Sequence, residues 1–286
     1  MTDRSQFRLL SQRRFGPFFA TQFLGAFNDN VFKNAVVLLV AFQGASLTAL
    51  SSDVVVNLAG ALFVLPFFLF SATAGQLADK YDKARLIRFV KLLEIAIMAV
   101  GAAGFVLASL PLLLAALFLM GTQSAFFGPV KYAILPQTLD DHEIVGGNAL
   151  VETGTSLAIL AGTILGGVLI AADRGAALWV PAAVLAVAVA GYVAARRVPA
   201  APAPAPDLAI NWNPITETWR NLAFTRGNRT VFLSILGVSW FWLYGIVFLS
   251  QFPNYARVNL GGSEHVVTLL LTVFSVGIGA GSLLCE

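Results

Sequence analysis

Long apolar runs alternate with short polar connections along the whole chain, and the runs have the length that crosses a bilayer. About 20 apolar residues span the hydrocarbon core as a helix. Seven complete runs meet that length or come close to it: 15–42, 54–78, 86–109, 110–128, 145–172, 176–195 and 231–252. An eighth begins near Val266 and is still running at Glu286, which predicts that the sequence is the front part of a longer protein. The fold class expected is therefore all-α and integral to a membrane.

Composition supports this pattern. With 58% hydrophobic and 12% charged residues in a chain of 286, a soluble domain is excluded. The basic residues are unevenly placed. Fifteen of the 18 lie before the first run or after the second, fourth and sixth, which predicts a cytoplasmic N-terminus in an inner, plasma-type membrane. The net charge of +3 is then a topology signal, and no nucleic-acid partner is expected. The first run is too long for a signal peptide and carries Asp29 and Lys33 at its centre. A single cysteine, Cys285, excludes an internal disulfide, and His142 and His265 match no ligand spacing, so neither metal nor cofactor is expected.

Candidate chemistry interrupts the apolar runs. Asn28, Asp29, Asn30, Lys33 and Asn34 crowd the middle of the first run, and an acid and a base four residues apart share a helix face and reduce each other's cost of leaving water. They form a site for substrate or for a coupling ion; the alternative is an ion pair that only fixes helix rotation. Lys91 and Glu94, three apart in the third helix, are expected to snorkel and pair near the interface. Pro129 is expected to break or bend the fourth helix beside Lys131. Lys131 then holds a lipid phosphate or a coupling acid, or is a plain loop lysine. Glu152 in the fifth helix is a second membrane acid, a partner for Lys131 or Lys33, and Gly154, Ala158, Gly162 and Gly166 recur every fourth residue as a groove for a close helix neighbour.

After the second run, Gly75, Asp79, Lys80, Lys83 and Arg85 form a loop in which Gly75 and Asp79 stack on one face, the glycine admitting a neighbouring helix and the bases holding the turn to the lipid surface. Pro181 is expected to kink the sixth helix. Residues 198–206, rich in Ala-Pro, read as a stiff spacer. Asn213 caps a helix beginning at Pro214, whose Ile215, Trp219 and Leu222 share a face and lie on the membrane surface.

The loop after the second run, with Gly75, Asp79, Lys83 and Arg85, resembles the signature loop of the major facilitator superfamily, a gate between two six-helix halves. The Phe-Asn-Asp-Asn run from Phe27 and the Gly-Pro-x-Lys-Tyr run from Gly128 resemble the lysophospholipid transporter branch of that superfamily, some members of which are fused to an acyltransferase. The resemblance implies a six-helix N-terminal bundle over residues 1–197, a Pro-rich linker with an interfacial helix over 198–229, and the first two helices of a second bundle over 230–286. It implies alternating access, with Asp29 and Lys131 on the polar part of a substrate path, and a lysophospholipid as substrate among membrane lipid partners. A proton-coupled exporter of small molecules is the alternative. The chain itself is not expected to be an enzyme: acyl transfer would need a His and an Asp five residues apart, and neither histidine has one.

Overall fold

The computed structural model of the chain describes residues 6–172, 175–261 and 264–284; Arg4, Arg174, Cys285 and Glu286 lie outside the described residues. The helices are α1 (Gly16–Leu47), α2 (Ser52–Lys80), α3 (Lys83–Val106), α4 (Leu110–Ala133), a single turn α5 (Leu135–Thr138), α6 (Ile144–Ala171), α7 (Val180–Ala195), α8 (Pro214–Arg226), α9 (Arg229–Asn254) and α10 (Glu264–Leu283). Among the described residues, α1, α2, α3, α4, α6 and α7 supply six segments long and apolar enough to cross a membrane. A helix is the form such runs must take in lipid, because it satisfies every backbone N–H and C=O within the segment.

Two prolines behave differently from their sequence expectation. Helix α4 runs through Pro129 to Ala133 without a break. Lys131 therefore sits in a helical turn and bonds a side chain, where freed carbonyls had been expected. Pro181 falls in the first turn of α7, just after a π-helical turn at Gly175–Trp179. A helix needs no N–H there, so the proline starts the helix and does not kink it.

Helix α1 is central, with α6 and α7 against it; α2 packs on α4, and α3 bridges α4 and α7. Two apolar cores result. One holds Val31, Phe32, Val36 and Val40 of α1 with Met98 and Phe105 of α3, Leu113 and Leu117 of α4, and Val184 of α7. The other gathers Phe15, Phe18, Ile87, Val130, Ile134 and Val151 toward the opposite end. Between them, in sequence and in space, lie the polar residues of α1.

The glycine groove of α6 does what its spacing predicts. A methyl group at Gly162 would stand 2.4 Å from the carbonyl oxygen of Phe27, and one at Gly166 2.5 Å from that of Val31, so α6 lies backbone to backbone on α1. At Gly154 the close neighbours are the ring of Phe19, at 2.7 Å, and Gln22. Gly162→Ala should therefore cost about 1–3 kcal/mol through overpacking. Gly167→Ala, where the added carbon meets only ordinary contacts at 3.5 Å, should not destabilise. Thermal unfolding of the two variants in detergent checks this, and equal midpoints would contradict the close approach.

The N-terminal segment, the α2–α3 turn, the α4–α6 connection and the residues after α7 all meet at one end of the bundle. Arg14 donates to the Thr138 carbonyl (3.0 Å) and to Glu143 (2.7 Å), and Arg88 to the Val198 carbonyl (2.9 Å). We call this the basic end. The Pro-rich stretch is not the free spacer its composition suggests. It is strapped to the α2–α3 turn: Lys83 N–H donates to the Ala201 carbonyl (2.9 Å), Ala205 N–H to the Asp79 carbonyl (3.0 Å), Lys80 Nζ to the Leu208 carbonyl (2.8 Å), and Gln76 exchanges two bonds with the backbone of Asn211. Beyond the strap, Asn213 caps α8 as expected, accepting from Ile215 and Thr216 N–H. Ile215 and Trp219 are exposed, while Glu217 is buried. Helix α10 docks on α6, where Thr153 Oγ1 donates to the Gly279 carbonyl at 3.1 Å.

Candidate functional site

The polar layer between the two cores is built from α1, α3, α4 and α6. Its fixed point is an ion pair. Lys91 Nζ stands 2.5 Å from Glu94 Oε2, and both side chains are only 1% exposed. Asn28 Nδ2 donates to Glu94 Oε1 at 2.9 Å, and Gln123 Nε2 reaches Glu94 Oε2 at 3.3 Å. The ammonium lies near the ring of Phe127. It occupies space that Gly25 leaves free, since a side-chain carbon there would come within 2.6 Å of Nζ. Lys91 and Glu94 thus pair as their spacing predicts, but the expectation that they snorkel to the interface is overturned. Their helix face turns toward α1, α4 and α7, and a buried pair with satisfied partners is the only affordable arrangement for them there.

Asp29 lies beside this knot, half-buried. Its Oδ2 accepts from Ser124 Oγ at 2.7 Å, and its Oδ1 is buried without a hydrogen-bond partner. Lys33 forms no ion pair with Asp29; its Nζ lies over the ring of Phe63, 5.3 Å from the centroid. The mutual pair expected from the i, i+4 spacing does not form, because α4 offers Asp29 a hydroxyl and α2 offers Lys33 an aromatic face. The three asparagines also divide. Asn28 joins the charged knot, whereas Asn30 donates to the Ala26 carbonyl of its own helix and Asn34 to the Thr163 carbonyl of α6.

Nearer the basic end, Lys131 Nζ donates to Thr155 Oγ1 at 2.7 Å, which in turn lies 3.0 Å from Gln22 Oε1. Glu152 accepts from the hydroxyl of Tyr132. Neither Lys131 nor Lys33 is its ion-pair partner, contrary to the expected pairing. Counting Asp29, Lys33, Lys91, Glu94, Lys131 and Glu152, the interior is charge-balanced. Sequence reading found four of these and missed the role of Lys91, Glu94, Gln123, Ser124 and Thr155. The available signal was polar residues inside runs otherwise made of Leu, Ile, Ala and Phe.

At the expected gating loop, Gly75 has open space where a side chain would stand, so no described helix approaches it. Asp79 and Arg85 are exposed, and Lys83 is buried beneath the strap with its Nζ lacking a hydrogen-bond partner, so that base does not reach a lipid surface. Asp82 anchors this turn twice. One oxygen caps α3 through Arg85 N–H (2.9 Å), and the other accepts from Ala201 N–H of the strap (3.0 Å). Asp82→Ala should cost about 1 kcal/mol from the cap alone and release the strap, seen as faster proteolysis within residues 198–211. Unchanged cleavage there would show that the anchor is dispensable.

Asp140, His142 and Glu143 bring ligand atoms within 4.8 Å of one another on the surface. Glu143 is already committed, to Arg14 and to the N–H of Asp140, in a capping box.

Comparison with known proteins agrees with the architecture. The family model described as Major Facilitator Superfamily matches residues 18–285. Proteins named Lysophospholipid transporter LplT are similar over most of the chain: that of Serratia proteamaculans is 33% identical over 91% of this chain, that of Enterobacter sp. 30% over 92%, and that of Escherichia coli O6:K15:H31 31% over 91%. The chain covers 63%, 63% and 62% of these relatives, so it spans somewhat less than two thirds of their length. A bundle of six apolar spans with polar residues at its centre, matched by the family model over nearly its whole length, establishes that this chain belongs to the major facilitator superfamily.

Proposed function

We propose that the chain is the substrate-handling front part of a transporter for lysophospholipids, working by alternating access with its basic end in the cytoplasm. The observation that carries this reading is the buried polar layer, with Asp29 and Lys131 each held by a neutral hydroxyl and thereby left with charge to offer a ligand. A zwitterionic or anionic headgroup needs both signs of charge near the middle of the membrane, and intramembrane ionisable groups are retained at a cost that function repays. The relatives' names support the lipid class. Residues 1–197 form the first bundle, 198–229 the strapped linker and α8, and 230–286 the start of a second bundle that would close over the open face at Gly75. Substrate lies at the interface of the two bundles, as in transporters built from repeats. The aromatic residues Trp240, Phe241 and Trp242 of α9 are exposed and suit an acyl chain.

A second reading, a proton-coupled exporter, is favoured by one observation, the unpartnered oxygen of Asp29, which suits a group that gains and loses a proton during a cycle. Spheroplasts expressing the full open reading frame separate the two. Uptake of labelled lysophosphatidylethanolamine above the vector control, reduced by Lys131→Ala at equal membrane expression, supports the lipid reading. No lipid uptake, with efflux of a cationic dye driven by a pH gradient, would replace it with the exporter.

A further inference from the structure

Five arginines from three separate stretches of the chain line one cavity of about 870 Å³ at the basic end. Arg13 and Arg14 precede α1, Arg88 lies in the second turn of α3, and Arg196 and Arg197 follow α7. The rest of the wall is Pro17 and the first residues of the strap, and among the described residues no acidic one lines it. Topology requires only that bases lie on one side of the membrane. Convergence of guanidinium groups on a single cavity is a separate property, because like charges brought together repel.

The five are not equivalent. Arg14 is compensated: it bonds Glu143 at 2.7 Å, lies 3.8 Å from Asp140, and donates to Gln12 at 2.7 Å. Arg88 is fixed by its bond to the Val198 carbonyl, yet its Nε is buried with no hydrogen-bond partner. A buried, charged donor without an acceptor is costly, and the negative charge of an anion in the cavity would offset part of that cost. Arg13, Arg196 and Arg197 remain exposed at the mouth. Forked guanidinium donors match the oxygens of a phosphate group, with which they form paired, charge-assisted hydrogen bonds.

We propose that this cavity binds the phosphate of an anionic membrane lipid, held by Arg88, Arg196 and Arg197, at a site distinct from the polar layer. The lipid source follows from position. The cavity lies at the ends of α1, α3 and α7, helices long and apolar enough to cross a membrane, and, resting on the cytoplasmic placement of the basic end proposed above, it faces the leaflet where anionic lipids collect on basic residues. Its volume is that of an ordinary ligand pocket and well beyond what one inorganic phosphate fills. The site joins the start of α1, α3 and the strap, so a bound lipid ties the linker to the first bundle.

Native mass spectrometry of the purified protein tests this, with phosphatidylglycerol, phosphatidylcholine and inorganic phosphate titrated in turn. Phosphatidylglycerol should bind at least about tenfold more tightly than phosphatidylcholine. The double variant Arg196→Ala/Arg197→Ala should lose most of that preference while unfolding at the wild-type temperature, since both side chains are exposed. Arg88→Gln should weaken binding as well. Displacement of the lipid by millimolar phosphate would keep the phosphate chemistry and overturn the lipid source. Equal affinity for the two lipids, or a double variant that binds phosphatidylglycerol like wild type, would overturn the site.

Discussion

Glu94→Ala should destabilise the folded chain by about 3–5 kcal/mol, the usual consequence of removing one partner from a buried ion pair. The cost arises from what remains. Lys91 would keep its charge in a position 1% exposed, and the amides of Asn28 and Gln123 would lose their shared acceptor. Lys91→Met alone should cost less, because Glu94 would retain two amide donors. The double variant Lys91→Met/Glu94→Gln should recover most of the loss, since it removes both charges while keeping a polar group for Asn28. Thermal unfolding in one detergent, read across Glu94→Gln, Lys91→Met and this double variant as a double-mutant cycle, measures the coupling. Additive losses would mean that the pair contributes nothing beyond its separate side chains, and the polar layer would then have no structural anchor.

The spans were legible because lipid leaves a long apolar run no alternative to a helix. Their ends were read less well. Helix α4 passes five residues beyond the last one expected, since a proline late in a helix removes one hydrogen bond, and here the next turn still packs Val130 and Ile134 into the apolar core at the basic end. The glycine groove of α6 was readable from spacing alone, because a close helix contact requires small residues at regular intervals. The Lys91–Glu94 pair was readable from its spacing too, but its burial and the partners that other helices supply were not. Whether Lys91 snorkels or turns inward depends on the rotation of α3 against α1, and spacing within one helix carries no information about a neighbour. The same holds for Asp29, whose partner Ser124 lies on a helix 95 residues away. The strap was hidden for a different reason. Alternating Ala-Pro suggests a stiff rod, yet every alanine keeps its N–H and every residue its carbonyl, so Ala201 and Ala205 can still lace the segment to Asp82 and Asp79.

Asp29→Asn should lower lysophospholipid uptake roughly ten- to a hundredfold at unchanged membrane expression. The range follows from the 1.5–3 kcal/mol typical of a hydrogen bond to a charged group, at about 1.4 kcal/mol per factor of ten. The substitution is close to isosteric, and an asparagine carbonyl still accepts from Ser124 Oγ, so the contact between α1 and α4 survives. What disappears is the charge at the oxygen that has no protein partner, the one positioned to meet a ligand. Ser124→Ala reverses the experiment: the charge stays and the donor goes, and uptake should fall only a fewfold. Asn30→Ala serves as the control from the same turn, because that side chain bonds its own helix, and it should transport like wild type. The pH response separates the roles of Asp29. If it binds the headgroup, the Asp29→Asn defect persists with and without a proton gradient. If it carries protons, the variant loses only the gradient-driven part of transport. Wild-type uptake by Asp29→Asn would remove Asp29 from the path and leave Lys131, on the other side of the layer, as the group that meets the substrate.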